Sequence, residues 1–286
     1  MASRSQLLSR QQRVLQMCDS DRQVAFNEYL ELFRSHGETH IPYLTYHWPR
    51  FLKTKSLIEE SRSLSRNTRV LDLGAHWLHQ TALYSMSGCQ VTAADMPLSM
   101  VRPCTLSLAK HFGIQLHRYE SLEDASALEG LPSDSYDIVL FSEVLEHLTC
   151  NPVNLWKGVH RVLKTGGVIV VTTPNYYYWR SLYRSIWRLL TGHGVGIDMR
   201  SLVTMKTTAP HWKEYSMSEL REYFRLLSPD FEVTRTEYVE MRGDDKRPIA
   251  VFYHWVESCV PPFRKNLHVE ITLKGKGHGI QIEPYW

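Results

Sequence analysis

Five residues, Val70-Leu71-Asp72-Leu73-Gly74, constrain this chain most. Their near-continuous apolar character reads as a strand buried on both faces, and the glycine lets the backbone turn tightly where that strand ends. An acidic residue, Asp95, closes the next apolar run, 23 positions beyond Asp72. A carboxylate about 20 residues past a glycine turn is placed to meet a ribose hydroxyl, so the pair points to a nucleotide-type ligand on a parallel sheet. A further buried strand, Ile138 to Phe141, runs into the polar stretch Ser142-Glu143-Val144-Leu145-Glu146-His147.

From Arg69 onward, strands and helices alternate. The spacing predicts strands over 70–73, 90–94, 114–119, 138–141 and 168–172, with helices over 78–86 and 98–112 between the first three. Asn151-Pro152 reads as the N-cap and first residue of another helix, and Gly166-Gly167 as its left-handed stop. The scaffold resumes with a helix capped by Ser216 or Ser218, followed by strands over 231–239 and 269–273. Such alternation implies a parallel sheet covered on both faces. Two stretches break it, 176–212 and 241–267, and read as cap insertions; the first holds a helix reaching Leu190 and the glycine-rich run Thr191 to Gly196. Apolar periodicity over Ser9 to Ser35, including Val14 and Leu15, and over Pro49 to Leu64 predicts two N-terminal helices. An aromatic-rich connector, Gly37 to Trp48, joins them. Residues 1–66 are thus expected to form a helical lid or extension, and residues 67–286 the core.

Five motifs in order carry a resemblance: Leu71-Asp72-Leu73-Gly74, Asp95, Ser142 to His147, Arg161-Val162-Leu163-Lys164-Thr165-Gly166-Gly167, and Thr172-Thr173-Pro174-Asn175. Together they resemble class I S-adenosylmethionine-dependent methyltransferases, in particular the type 11 branch that includes the ubiquinone-pathway O-methyltransferases. The resemblance spans 67–175 closely and 215–276 more loosely. It implies a Rossmann-like, doubly wound, mostly parallel seven-stranded sheet with helices on both faces, an N-terminal helical lid and an inserted cap. It also implies S-adenosylmethionine as cofactor, with Asp72, Gly74, Ala75 and His76 at the glycine turn, Asp95 on the ribose, Met96 against adenine, Ser121 and Leu122 at the edge of the base, and Ser142 and Glu143 beyond. One departure stands out. Members usually place two more glycines at alternate positions after the first, where this chain has His76 and Leu78. The loop then either takes another course or holds its ligand less tightly. The same loss removes the G-x-G-x-x-G cradle that a nicotinamide dinucleotide needs.

Methyl transfer to a hydroxyl needs alignment and a proton acceptor. His147 is the first candidate base and His211 the second; the alternative for each is an imidazole that bonds backbone at a helix end. Glu143, Glu146 and His147 stand at i, i+3 and i+4, and on a helical turn they would share a face. This resembles the metal-binding triplet of magnesium-dependent relatives, with His211 completing the set around Mg2+. The alternative has Glu143 touching only cofactor and Glu146 capping a helix. In the insertion, Arg180, Arg184 and Arg188 form a basic stripe on a helix otherwise apolar and aromatic. It suits a phosphate, a carboxylate or an anionic lipid surface, or is simply a solvated face.

A chain of 286 residues with 43% hydrophobic content and a formal charge of +3 can bury a full core but has no global field for nucleic acid. No DNA partner is expected. Cys18, Cys89, Cys104, Cys150 and Cys259 lack metal or disulfide spacing and read as reduced thiols. Neither a secretory h-region nor a bilayer-spanning run is apparent, so a cytoplasmic location is expected. The leading function is methyl transfer to an oxygen, or nitrogen, of a small or medium acceptor, anionic or aromatic, with peripheral membrane contact through 176–190 as a further expectation. A catalytically decayed binding or scaffold protein and a metal-dependent RNA 2'-O-methyltransferase are the alternatives. Oligomeric state is left open.

Overall fold

The computed structural model describes residues 19–194, 196–205, 210–240 and 248–283. Val14, Leu15 and Cys18, and the stretch 241–247 of the second insertion, lie outside the described residues. Seven strands form one sheet: β1 (Arg69–Leu73), β2 (Gln90–Asp95), β3 (Gln115–Arg118), β4 (Tyr136–Ser142), β5 (Leu163–Pro174), β6 (Phe231–Val239) and β7 (Asn266–Leu273). Their order is β3-β2-β1-β4-β5-β7-β6, and the sheet is mostly parallel, as expected from the alternation of elements. The chain divides into two compact units, Met1–Glu120 with Tyr136–Ile138, and Ser121–Ser135 with Val139–Trp286, so that β4 belongs to both.

In the first unit β1, β2 and β3 pair in parallel, with Asp72 opposite Ala93 and Asp95 opposite Arg118. The helices are α1 (Asp19–Ser35), α2 (Ile41–Ser61), α3 (His79–Met86), α4 (Pro97–Met100) and α5 (Pro103–Phe112). Two differ from expectation. The aromatic connector is mostly helix: Pro42 sits in the first turn of α2, where its missing N–H costs nothing, so the helix opens at Ile41. It then runs through Pro49, and burial of Trp48, Phe51, Leu57 and Ile58 outweighs the backbone bond that Pro49 removes. The helix expected over 98–112 is instead broken. Arg102 precedes a proline and is held extended at ψ 137°, which separates α4 from α5. Phe26, Tyr29 and Phe33 of α1 and Leu44, Trp48 and Phe51 of α2 share one apolar cluster with Trp77, Leu78, Ala82 and Leu108. The Phe26 and Trp48 rings stack at 4.3 Å.

The second unit carries α6 (Val153–Val162), α7 (Trp179–Leu190), α8 (Met199–Thr204), α9 (Met217–Leu227) and α10 (Pro248–Cys259). β7 pairs antiparallel with both β5 and β6. Asn151 does serve the start of α6, its Oδ1 accepting from Val153 N at 3.0 Å, but Pro152 is the cap residue. The helix stops at Val162, four residues before the expected glycine, because Leu163 turns extended and begins β5 at once. Gly166 is left-handed at φ 79° within that strand. Gly167 is needed for space, since a Cβ there would lie 2.7 Å from Leu163 Cδ1 and 2.8 Å from the Lys164 carbonyl. Ser216 caps α9, and Glu219 bonds back to the Ser216 N–H, completing a capping box.

Candidate functional site

The glycine turn after β1 folds onto β2. Gly74 and Ala75 both donate to the Ala94 carbonyl, at 2.9 and 3.3 Å. His76 and Leu78, the two residues where relatives place glycine, have φ of 46° and 62°. The loop therefore keeps the left-handed course that glycine would take, with two L side chains bearing strain of about 1–2 kcal/mol each. Packing holds them there. Leu78 is fully buried, and Trp77 between them is 6% exposed, its carbonyl accepting from Tyr29 Oη at 2.7 Å. The Trp77 ring meets Phe33, His40 and Tyr43.

Asp95 ends β2 with its carboxylate already oriented. Oδ2 accepts from His76 N at 2.7 Å and Oδ1 from Met96 N at 2.6 Å. The Ser99 hydroxyl bonds to the same carboxylate, which leaves one of its four lone pairs for a ribose hydroxyl. Burial raises the Asp95 pKa against those two backbone bonds. Met96 beside it is 39% exposed. Asp72 is a support: it is 2% exposed, it accepts from Thr81 Oγ1 at 2.6 Å, and burial pushes its carboxyl up to about 7. His76 goes the other way, burial and the nearby Arg102 and His40 lowering it to about 4.

In the second unit, β4 ends at Ser142, whose Oγ is buried with no partner among the described residues. Glu143 follows at φ 55°, its N–H donating to the Thr172 carbonyl and its Oε1 accepting from Asn266 Nδ2 at 3.1 Å. Only Leu145–His147 make a helical turn, so Glu143 does not share the face of Glu146 and His147 as the i, i+3, i+4 spacing suggested. Ser121 Oγ accepts from Glu123 N in a local turn, and Leu122 is half-buried. Three of the four residues expected around a metal do come together. Glu146, His147 and His211 each offer a ligand atom within 4.8 Å of the others.

Glu146 is 1% exposed and its Oε2 accepts from Thr173 Oγ1 at 2.9 Å, while its carbonyl accepts from Trp212 N at 2.7 Å and so ties 212 to this turn. His147 Nδ1 lies 3.1 Å from the Pro210 carbonyl. A carbonyl only accepts, so Nδ1 carries the hydrogen and Nε2 keeps its lone pair. The ring of His211 stands edge-on at 4.9 Å. Burial, then His211, lower the His147 pKa against the Pro210 bond, which keeps the imidazole neutral. Thr173, Pro210 and Asn266 are thus participants that the motifs did not flag. Thr173 lay inside a quoted motif without a role; Pro210 acts through backbone, which leaves no side-chain signal. As a donor set, two imidazoles and one carboxylate suit a borderline divalent ion better than Mg2+, which prefers oxygen ligands.

The sheet order, the glycine turn and the acidic end of β2 together define a class I methyltransferase fold. Residues 71–171 match the family of methyltransferase domains. A search of curated proteins finds no match. Among solved structures, the chain is similar to one from the complex of the Haloferax volcanii Trm112 methyltransferase activator with a methyltransferase candidate. Identity is 16%, with 82% of this chain and 95% of that one covered at a TM-score of 0.54. A candidate S-adenosylmethionine-dependent methyltransferase from Listeria monocytogenes is similar at 14% identity, covering 81% and 99%, TM-score 0.51. A candidate sarcosine dimethylglycine methyltransferase from Galdieria sulphuraria follows at 15%, covering 79% and 86%, TM-score 0.50. At these identities the likeness is one of fold.

Proposed function

We propose that the protein transfers a methyl group from S-adenosylmethionine to an oxygen, or nitrogen, of a small or medium acceptor, with His147 as the base. The observation that carries the proposal is the His147 Nδ1 bond to the Pro210 carbonyl, which fixes the tautomer whose Nε2 accepts a proton. When bound, S-adenosylmethionine supplies an electrophilic methyl on a sulfonium. Asp95, held by two backbone N–H groups, is the residue to receive the ribose, and Met96 the one to lie against the base. His147 Nε2 would take the proton of the acceptor hydroxyl, and S-adenosylmethionine held at Asp95 and Met96 would supply the methyl group and leave as its demethylated product.

His147→Gln keeps a side chain of similar reach without a basic imidazole. It is expected to lower kcat by about 10²- to 10⁴-fold with cofactor affinity by calorimetry unchanged. Unaltered kcat would remove His147 from the reaction. In the wild type the acid limb of the rate profile should fall below pH 6.5, following the lowered His147 pKa.

The Glu146, His147 and His211 group supports a second reading, a metal-assisted transfer such as RNA 2'-O-methylation. A divalent ion held there would lower the pKa of an acceptor hydroxyl directly. Loss of activity on chelation, restored by zinc or manganese, would favour it; full activity in chelator would discard it. The decayed-scaffold alternative rested on His76 and Leu78, and their glycine-like backbone weakens it. Failure of the chain to bind S-adenosylmethionine or its demethylated product would revive it.

A further inference from the structure

Helix α7 is turned inside out. Leu182, Tyr183, Ile186, Trp187, Leu189 and Leu190 fall on one side at helical spacing, and Arg180, Ser181, Arg184, Ser185 and Arg188 on the other, with no acidic residue along its length. A helix on a globular protein ordinarily turns its apolar side inward. Here no residue of α7 is buried, Trp187 is 60% exposed and Leu190 76% exposed. Ser181, Arg184, Ser185 and Arg188 instead line a cavity of about 600 Å3, together with Ser201 and Lys213. Two nearby helices also expose apolar groups. Met199, Leu202 and Val203 of α8 are exposed, as are Phe252 and Trp255 of α10, and α10 meets α7 where the Tyr253 and Trp179 rings approach to 4.4 Å.

The lining sets Arg184, Arg188 and Lys213 against the carboxylates of Asp198 and Glu214, and His211 lies 3.6 Å from Glu214. Asp198 is engaged by the N–H and hydroxyl of Ser201 and also feels the Arg188 charge, while Arg188 itself donates a long 3.3 Å bond to the Gly196 carbonyl and its buried Nε has no acceptor among the described residues. In an interfacial helix, aromatic and aliphatic groups enter the acyl boundary while the basic side stays at the phosphates.

We propose that α7 docks on an anionic phospholipid surface, its apolar side in the acyl boundary and a head-group phosphate drawn to Arg184 and Arg188. This surface stands whether or not the methyl-transfer reading holds. The test is cosedimentation of the full chain with vesicles of phosphatidylcholine alone or mixed with phosphatidylglycerol. Binding is expected to the mixed vesicles and to fall as salt rises. The double variant Ile186→Glu, Leu190→Glu changes only exposed positions and should lose at least about 10-fold in binding, with its circular dichroism unchanged. Arg184→Gln should lose about fivefold, the weight of one cation near an anionic surface. Three results would overturn the proposal: no sedimentation of the wild type, equal binding to both vesicles, or undiminished binding of the double variant. Self-association in lipid-free solution that the double variant abolishes would give the face to a second copy and also overturn it.

Discussion

His76 and Leu78 show how one side chain replaces glycine without rerouting a loop. Both keep a left-handed backbone, and the cost is met by Trp77 and Leu78 packing into the cluster under α1 and α2. His76→Gly should relieve about 1–2 kcal/mol of strain and forfeit the Trp77 contact at 3.7 Å. Urea melts are therefore expected to place it within about 1 kcal/mol of the parent, with cofactor affinity undiminished. Asp72 behaves differently, because its folded pKa is raised to about 7. Its contribution to stability is whole below the unfolded carboxylate pKa of about 4 and is lost as pH rises through about 7. Asp72→Asn keeps an acceptor for Thr81 and cannot ionise. Between pH 4 and 7 it should gain stability over the parent, by at most on the order of 4 kcal/mol, measured as diverging Tm values. The place of Asp95 at the end of β2 was legible because an acidic residue closes an apolar run there. The Pro210 partner of His147 was not, since it is a main-chain oxygen 63 positions away.

Helices and strands were legible to the extent that local chemistry set their ends. The Ser216 and Glu219 pair announced α9, and the structure shows both halves of the capping box. Ser216→Ala should cost about 1 kcal/mol in chemical denaturation; no change would mean that packing alone holds the helix start. Prolines were harder to place. Pro103 ended a helix by acting on Arg102, yet Pro49 is carried inside α2 by buried neighbours on either side, and the difference lies in tertiary packing that no local signal reports. Glu143 was misplaced for a related reason. Its positive φ takes it out of the turn that begins two residues later, so a face counted along the sequence does not exist in space.

Across the molecule, β4 belongs to both compact units, and the mostly parallel sheet followed from the alternating pattern because buried parallel strands leave continuous apolar runs. The chain beyond β7 gave no such pattern, yet it is anchored. Asp230 is 5% exposed and accepts from His160 at 3.0 Å, from the backbone N–H and ring of His278, and from Gly279 N at 2.8 Å. Burial alone would raise this carboxyl, but those bonds hold it well below the usual range, so its stabilisation is present above about pH 4 and fades as pH falls further. Lys276 adds a bond to the Arg161 carbonyl and an ion pair with Asp134. Ending the chain after Leu273 should therefore cost about 2–4 kcal/mol, seen as an earlier thermal midpoint, though every strand would remain. For anyone attaching a reporter or an affinity handle, the tail behaves as a stitch: the fusion belongs beyond Glu283, because a spliced sequence nearer the sheet would unpick Asp230.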